Sequence, residues 1–183
     1  MTRTRGTPER TVVLSLGSNL GDRLANLQLG VSVVCAGGLD CCAVSGVYQT
    51  APVGGPDQDD YLNAVVLATS CLPASEVLAR CQAAEAAAGR IRTVRWGPRT
   101  LDVDIIKCGD EVRTDPLLTL PHPRAHERAF VLVPWLDVEP DAMLPGWGPV
   151  ADLLAKLGNA GITLAPELSL RLPASSRSGA GAD

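Results

Sequence analysis

The sequence predicts an α+β domain in which an antiparallel sheet carries two helices on one face. Three observations support this prediction. Four short runs are rich in β-branched and other apolar residues, two longer runs have the apolar spacing of helices, and the six runs follow the order βαββαβ. A chain of 183 residues is also long enough to form one domain with a substantial core.

The first half of this pattern contains one helix between two strands. Residues 11–16 (TVVLSL) are predicted to form the first strand, and the GSNLGD segment after it is interpreted as a tight turn. Residues 41–48 (CCAVSGVY) are predicted to form the second strand. Between them, Gly37-Gly38 is expected to end a helix whose apolar face consists of Leu20, Leu24, Leu27, Val31 and Val34.

The second half repeats the alternation after a loop rich in glycine and proline (QTAPVGGPDQDD). Residues 61–69 (YLNAVVLAT) are predicted to form the third strand. Pro73 suits the first turn of a second helix (ASEVLARCQAAEAAA), which Gly89 is expected to close. Residues 101–106 are predicted to form the fourth strand. This order of elements is that of a ferredoxin-like βαββαβ sandwich.

The last third of the chain is less regular and is interpreted as a C-terminal extension. Residues 124–132 look helical as far as Pro134, where the helix is expected to stop. Residues 150–158 (VADLLAKLG) have the pattern of a short amphipathic helix. No repeat and no linker separates a second domain.

The composition favours a soluble cytoplasmic protein that acts on small molecules. Apolar residues make up 46% of the chain, and the net charge of −4 argues against attachment to nucleic acid or anionic lipid by overall charge. No apolar run has the length of a membrane span, and no signal peptide is visible. We expect a monomer with one domain over residues 11–165, and disordered tails at residues 1–10 and 171–183.

The cysteines show no pattern typical of a metal or redox site. None of the six belongs to a C-x-x-C pair, and most stand among valine, alanine and leucine. We therefore expect small buried residues with free thiols in a reducing compartment, rather than disulfides or a metal site. The six residues are Cys35, Cys41, Cys42, Cys71, Cys81 and Cys108.

Two acids interrupt the apolar alternation of the fourth strand, LDVDII. Side chains two residues apart on a strand project from the same face, about 6.5–7 Å apart along the chain. Asp102 and Asp104 could therefore hold one divalent cation jointly, or two of them, and oxygen ligands favour magnesium. The alternative is an edge strand with a solvated acidic face, and the motif alone does not decide between them.

A basic loop precedes these acids and favours a metal site over a solvated acidic face. Arg90, Arg92, Arg95 and Arg99 lie within ten residues, in a segment that also contains glycine and proline. Arginine binds phosphate oxygens through two parallel hydrogen bonds and keeps its charge at neutral pH. A solvated loop that pairs with the acids is the alternative. Acids that bind a metal beside arginines that bind its phosphate ligand favour a metal–nucleotide site.

Other polar residues give weaker indications. Tyr61 and Asn63 share one face of the third strand and could stack on, and hydrogen-bond to, a flat heterocycle, although a core or rim role is the alternative. His122 and His126 are four residues apart, but no third ligand of matching type is close in sequence, so they do not predict a zinc site.

Four segments, taken in order, resemble the 6-hydroxymethyl-7,8-dihydropterin pyrophosphokinase family of folate biosynthesis. They are LGSNLGDR, YQTAPVGGPDQDDYLNAVV, GRIRTVRWGPRTLDVDI and LPHPRAHERAFVLVP, within roughly residues 12–148. The resemblance implies the ferredoxin-like fold and the transfer of a pyrophosphoryl group from ATP to the hydroxymethyl group of a reduced pterin, with release of AMP. Ala51 and Pro123 depart from the family pattern, which affects fine contacts and loop closure rather than the reaction.

The resemblance also implies roles for individual residues. Asp102 and Asp104 would hold two Mg²⁺ ions that bridge the triphosphate of the co-substrate ATP. Arg90 and Arg92 would act in catalysis from a loop that closes over the reactants. The pterin-binding residues would be Thr50, Val53, Tyr61, Asn63, Trp96 and Phe130. The ATP-binding residues would be Glu85, Arg99, Ile105, His122 and Arg128.

Two binding functions are compatible with the same order of elements. An RNA-recognition module would carry aromatic residues on its two central strands, and this chain has no such pair. A small regulatory domain would bind a nucleotide without consuming it. Release of AMP from ATP in the presence of the pterin distinguishes the enzyme from both.

Overall fold

The computed structural model describes residues 8–36, 38–52, 58–90 and 97–174, and contains four α-helices and ten strands in these ranges. In chain order the elements are β1 (Arg10–Ser18), α1 (Arg23–Val34), β2 (Asp40–Val44), β3 (Tyr48–Thr50), β4 (Tyr61–Ser70), α2 (Ala74–Ala87), β5 (Asp102–Cys108), β6 (Arg113–Thr114), β7 (Thr119–Leu120), α3 (Ala129–Val138), β8 (Met143–Leu144), β9 (Gly148–Pro149), α4 (Val150–Leu157) and β10 (Ile162–Leu164).

One antiparallel sheet of six strands forms the centre of the structure. Its order is β10-β3-β4-β1-β5, and β2 pairs with the same edge of β4 as β3 does. The long central strands β1 and β4 pair over their whole length, from Arg10 opposite Ser70 to Ser18 opposite Leu62. The fold is therefore α+β with an antiparallel sheet, as the sequence predicted. Two further pairs, β6-β7 and β8-β9, form small ribbons outside this sheet.

The predicted second strand is divided in two, so its prediction as one continuous element was wrong. Between β2 and β3 the backbone leaves the regular pattern of strand pairing, and side-chain oxygens accept hydrogen bonds from backbone amides there. The Ser45 hydroxyl accepts the Val65 amide at 2.9 Å, and the carboxylate of Asp137 accepts the Gly46 amide at 2.8 Å. Such contacts between residues far apart in sequence leave no local pattern.

Helices cover both faces of the sheet. Helices α1 and α2 pack on one face, where Leu27, Val31 and Val77 join a core with alternate residues of the strands. Helix α3 packs on the other face, where Trp135 and Val131 form a second core. The two predicted helices thus lie together as expected. The C-terminal extension covers the second face, a position that the sequence did not predict.

Two predicted helices have other boundaries than expected. Leu20 lies before α1 and is 46% exposed, because the carboxylate of Asp22 accepts the amide of Ala25 and starts the helix at Arg23. Helix α3 begins at Ala129 rather than at residue 124, after a 3₁₀ turn at Ala125–Glu127, and it continues past Pro134 to Val138 rather than stopping at the proline. Proline there removes a single helical hydrogen bond, and the burial of its neighbours Leu132 and Trp135 keeps the helix on the sheet. Residues 150–157 form the predicted short helix.

The expectation that all six cysteines carry free thiols was wrong for two of them. Cys35 follows the end of α1 and Cys41 lies at the start of β2, with Cα atoms 5.5 Å apart, and the two are joined by a disulfide. Burial is also divided, since Cys81 and Cys108 are buried whereas Cys42 and Cys71 are exposed. The sequence does not show that the helix end returns to the strand start.

We predict that a thiol titration with Ellman's reagent separates three classes of cysteine. In the folded protein without reductant, the exposed Cys42 and Cys71 react first. Cys81 and Cys108 react only on unfolding, because they are buried and because burial raises the pKa of Cys81 to about 12, which keeps it protonated at the assay pH. The last two thiols appear only after reduction.

The variant Cys35→Ser serves as the control for this titration. It releases Cys41 from the disulfide, so the unreduced, unfolded variant should contain five reactive thiols. Six reactive thiols in the unreduced wild-type chain would contradict the disulfide.

No helix in the described ranges combines the length and the apolar character needed to cross a bilayer.

Candidate active site

On the face of the sheet that carries α3, the side chains of β1, β4 and β5 are apolar within the second core and become small or polar beyond it. The change occurs at residues that lie opposite one another in the three strands. On β1, Val13 belongs to the second core, and Ser15 and Gly17 follow it on the same face. Gly17 lies opposite Asn63 of β4 on one side and opposite Asp102 of β5 on the other. The core therefore ends here, and a cleft begins.

The cleft has a volume of about 490 Å³. Strands β1, β3, β4 and β5 form its floor, and segments around α3 and after α4 form its walls. The residues that the sequence analysis predicted and that line it are Thr50, Tyr61, Asn63, Arg99, Asp102, Asp104, Arg128 and Phe130. The structure therefore brings most of the expected metal, nucleotide and pterin residues into one cavity.

The carboxylate of Asp102 is held between two guanidinium groups. Arg90 donates to Oδ1 at 2.6 Å, and Arg99 donates to Oδ2. Burial by itself raises the pKa of Asp102, but the charges and hydrogen bonds of Arg90 and Arg99 outweigh it and hold the pKa below its ordinary value. Asp102 is therefore ionised at neutral pH.

Glu85 positions Arg90 from behind the cleft. This carboxylate is 7% exposed, pairs with Arg90 and accepts the amide of Val103 at 3.1 Å, so it connects α2 to β5. It does not line the cleft, although the resemblance implied a nucleotide-binding role. Ile105 also lies outside, since its side chain is buried in the core beneath α1 and α2.

Asp104 has a separate cationic neighbour. Arg128 donates to Asp104 Oδ2 at 3.1 Å, and His122 Nε2 lies 3.7 Å from the same oxygen. Burial lowers the pKa of His122, and Arg128 lowers it further, while Asp104 opposes the shift. The imidazole is therefore neutral at pH 7. His122 does not line the cleft directly and borders it through Asp104 and Arg128.

The other end of the cleft is suited to a flat ring. Asn63 is 4% exposed, and its amide group donates to Thr50 Oγ1 at 2.8 Å. Tyr61 and Phe130 contribute aromatic faces, and the guanidinium carbon of Arg128 lies 5.6 Å from the centre of the Phe130 ring. Gly17 keeps the floor open, because a Cβ there would lie 3.2 Å from Asn63 Oδ1.

Asn19 ties together two of the segments that carry cleft residues. Its Oδ1 accepts the amide of Arg99 at 2.8 Å, and its Nδ2 donates to Gln58 Oε1 at 2.9 Å. Ser18 extends the same connection by donating to the carbonyl of Thr100 at 2.6 Å. The sequence predicts only a tight turn at GSNLGD. The structure instead continues β1 through Ser18, and Asn19 fixes the position of the Arg99 segment.

Three predicted site residues, Val53, Arg92 and Trp96, lie outside the described residues, as does Arg95. Other cleft residues were missed. Gly17 could have been noticed, since a glycine inside a strand often marks the close approach of another group. The wall formed by Leu157, Gly158, Ala160, Gly161 and Ile162 had no such signal.

The residues present suit a hard divalent cation that brings further ligands of its own. Asp102 and Asp104 supply carboxylate oxygens, the ligands that magnesium prefers. In the described part of the chain no group of three or more His, Cys, Asp or Glu side chains is arranged to hold a metal. A cation here would therefore take its remaining ligands from water or from a phosphate chain.

Comparisons with known proteins point to one family. A family model described as 7,8-dihydro-6-hydroxymethylpterin-pyrophosphokinase (HPPK) matches residues 13–140. The 2-amino-4-hydroxy-6-hydroxymethyldihydropteridine pyrophosphokinase of Mycobacterium tuberculosis (strain ATCC 25618 / H37Rv) is 50% identical over 160 residues, which cover 80% of this chain and 83% of the relative. The protein of the same name in Methylorubrum extorquens is 43% identical over 150 residues, which cover 81% of this chain and 94% of the relative.

A solved structure supports the fold independently. The crystal structure of Plasmodium falciparum HPPK-DHPS wild type with SDX-DHP matches with a TM-score of 0.63 at 13% identity, over 84% of this chain and 45% of that chain. This chain thus spans less than half of that protein, and at such low identity the likeness concerns the fold alone. The family model and the two bacterial relatives establish that the chain belongs to the 7,8-dihydro-6-hydroxymethylpterin-pyrophosphokinase family.

Proposed function

We propose that this chain transfers a pyrophosphoryl group from ATP to the hydroxymethyl group of 6-hydroxymethyl-7,8-dihydropterin, giving AMP and the pterin diphosphate in folate synthesis. Family membership supports the reaction. The observation that carries it in the structure is the strand register, which places the Asp102 carboxylate and the Asn63 amide on either side of Gly17 in one cleft. Its partners are then two small molecules, and we retain the prediction of a monomer.

We also propose that the fold is ferredoxin-like. When β2 and β3 are counted as one interrupted strand, the order β3-β4-β1-β5 reads second, third, first, fourth along the sheet. Helices α1 and α2 then occupy the two crossover positions on one face. This arrangement supports the βαββαβ topology, with β10 and helices α3 and α4 as additions.

Asp102 and Asp104 are proposed to hold two Mg²⁺ ions together with the phosphates of ATP. Magnesium, when bound, offsets charge on the phosphoryl oxygens. Both oxygens of Asp102 accept hydrogen bonds from Arg90 and Arg99. These two guanidinium groups therefore hold the carboxylate in place, and each oxygen keeps a lone pair with which it could bind a metal ion.

Arg99 has a second use in the same cleft. A guanidinium group binds phosphate oxygens through two hydrogen bonds, so Arg99, which lines the cleft, can turn from the carboxylate to the polyphosphate. Arg90 does not line the cleft and is held by Glu85, so it acts on the site through Asp102. Arg128 can contribute from the Asp104 side. Positive charge is then concentrated where the phosphoryl group is transferred. The predicted contributions of Arg92 and Trp96 concern residues outside the described ranges.

At the other end, the pterin is proposed to lie between Tyr61 and Phe130. The amide of Asn63, fixed by Thr50, would bond to the polar edge of the ring. The hydroxymethyl group would then face the acids, in line for attack on the β-phosphorus. His122 is neutral but lies behind Asp104, so the side chains of the cleft supply position and charge rather than a strong base.

An assay of AMP formation tests the proposed function. We expect AMP from ATP only when both 6-hydroxymethyl-7,8-dihydropterin and Mg²⁺ are present. AMP release without the pterin would indicate a hydrolase, and binding of ATP with no AMP in the complete mixture would indicate a regulatory domain. Either outcome would refute the proposal.

We predict that Asp102→Asn and Asp104→Asn each lower kcat by at least about 100-fold, because each removes a carboxylate that would hold Mg²⁺, the cation that offsets charge on the transferring group. Both variants should keep the fold, since the two side chains face the cleft rather than a core. Steady-state kinetics at saturating Mg²⁺ measure the effect. Asp110→Asn, an exposed acid just after the same strand, is the matched control. A rate close to that of wild type in either cleft variant would rule out this assignment.

Magnesium binding is predicted to depend on the nucleotide. In isothermal titration calorimetry, Mg²⁺ added to the protein alone should give no saturable heat at concentrations that saturate it in the presence of α,β-methylene-ATP. The reason is that no three His, Cys, Asp or Glu side chains among the described residues are grouped to hold a metal, and Asp102 is already engaged by arginines. Equal affinity with and without nucleotide would contradict this expectation.

A further inference from the structure

A segment after α4 forms one wall of the cleft. Its cleft-lining residues begin with Leu157, the last residue of α4, and end with Ile162, the first residue of β10. The segment follows the region that the family model matches, residues 13–140. The proposed function therefore assigns it no role, although it borders the same cavity.

The strand order places this wall at the ring end of the cleft. Strand β10 and strand β5 lie at opposite ends of the order β10-β3-β4-β1-β5. Four inter-strand steps of about 4.8 Å separate them, or about 19 Å across the sheet. Ile162 pairs directly with Thr50, whose hydroxyl accepts the Asn63 amide. The wall thus adjoins Thr50 and Asn63, and lies far from the acids of β5.

The conformation of the segment fixes the wall in this position. Helix α4 ends at Gly158, which has a φ of 77°, and the Ile162 amide donates to the carbonyl of Asn159 at 3.2 Å. Gly161, third in that turn, has a φ of 79°, close to the value that a type II turn requires at this position. Two left-handed glycines therefore turn the chain from the helix into the strand within a few residues.

The chemistry of the wall differs from that of the other end of the cleft. Residues 157–164 (LGNAGITL) contain no ionisable side chain, and those that line the cavity are apolar or glycine. The side chains of such a surface offer van der Waals contact to a flat neutral ring, and none of those that line the cavity carries a charge or a hydrogen-bond donor for a polyphosphate. Leu157 is 44% exposed although it is a large apolar residue, which leaves surface available to a ligand.

We propose that Leu157 and Ile162 are pterin-binding residues that close the outer side of the ring subsite and take no part in nucleotide binding. This inference rests on the proposed function, because it requires the pterin to occupy the cleft. It adds contacts from the segment between α4 and β10 to a site otherwise built from β1, β3, β4, β5 and the residues around α3.

Direct binding tests the inference. The dissociation constant for 6-hydroxymethylpterin, followed by its fluorescence, is measured with the full-length chain in the presence of Mg²⁺ and α,β-methylene-ATP. In Leu157→Ala we expect it to rise about threefold to tenfold, whereas the constant for α,β-methylene-ATP changes by less than about twofold. Ile162→Val, which removes one methyl group and keeps the strand, should give a smaller change in the same direction.

Leu164→Ala is the matched control. Leu164 belongs to the same strand as Ile162 and is 48% exposed, close to the value for Leu157, but it does not line the cleft. Its pterin affinity should equal that of wild type, and thermal melting should show that all variants remain folded.

The outcomes separate the two proposals. If the wild-type chain binds no pterin, the proposed function and this inference both fail. If wild type binds the pterin but Leu157→Ala binds it equally well, or weakens only as much as Leu164→Ala, the function stands and the inference is wrong. Parallel loss of nucleotide affinity in Leu157→Ala would also overturn it, because the wall would then act on the whole cleft.

Discussion

The site depends on the register of strand β1 with its two neighbours. Gly17 lies between Asn63 on β4 and Asp102 on β5, and Ser15 lies opposite Asp104. Because alternate residues of a strand face opposite sides, a slip by one residue would turn the acids toward the core beneath α1 and α2. The apolar residues that fill the two cores hold the register. The site residues therefore come together when the sheet folds.

The change from core to cleft on one face has a simple structural basis. The second core, around Trp135, covers only part of the sheet, and β1 continues beyond it with two small residues, Ser15 and Gly17. Small residues leave a depression, and polar residues of the neighbouring strands are tolerated there because they are solvated or paired. The floor of the cleft is thus a continuation of the same strands that build the core.

Charge compensation stabilises the two acids of the cleft. Two carboxylates close together on one face would repel each other, but Arg90, Arg99 and Arg128 contact them. In the proposed reaction Arg99 and Arg128 would also serve the phosphates, and the two Mg²⁺ ions would offset the charge that ATP brings. Pairing between the basic loop and the acids was the alternative to a nucleotide site, and the structure shows such pairing at Asp102, in the cleft where the nucleotide is proposed to bind.

Much of the fold could be predicted because its signals are local. The alternation in LDVDII and the helical spacing around Leu27 and Val31 each follow from the geometry of one element. The disulfide between Cys35 and Cys41, the division of the second strand at Ser45 and the wall at Leu157 could not be predicted in this way. Each depends on how separate elements pack in three dimensions, which the periodicity of one element does not show.

The same distinction applies to the site, where residues with a local signal could be predicted and the others could not. The paired acids and the Tyr61–Asn63 pair were visible because residues two apart on a strand share a face. Glu85 was assigned to the nucleotide, yet its burial and its bond to the Val103 amide make it a support for Arg90. Asn19 was interpreted as part of a turn, although its side chain joins two cleft segments.

One cleft is proposed to receive both reactants, with the pterin ring at Tyr61 and the phosphates of ATP beside β5. A crystal structure of the chain with the pterin, α,β-methylene-ATP and Mg²⁺ tests it most directly. The account predicts a pterin ring between Tyr61 and Phe130, and metal density on Asp102 and Asp104, with Arg99 moved from the carboxylate to phosphate. A ternary complex with the pterin bound elsewhere, or with these carboxylates still paired only to arginine, would contradict it.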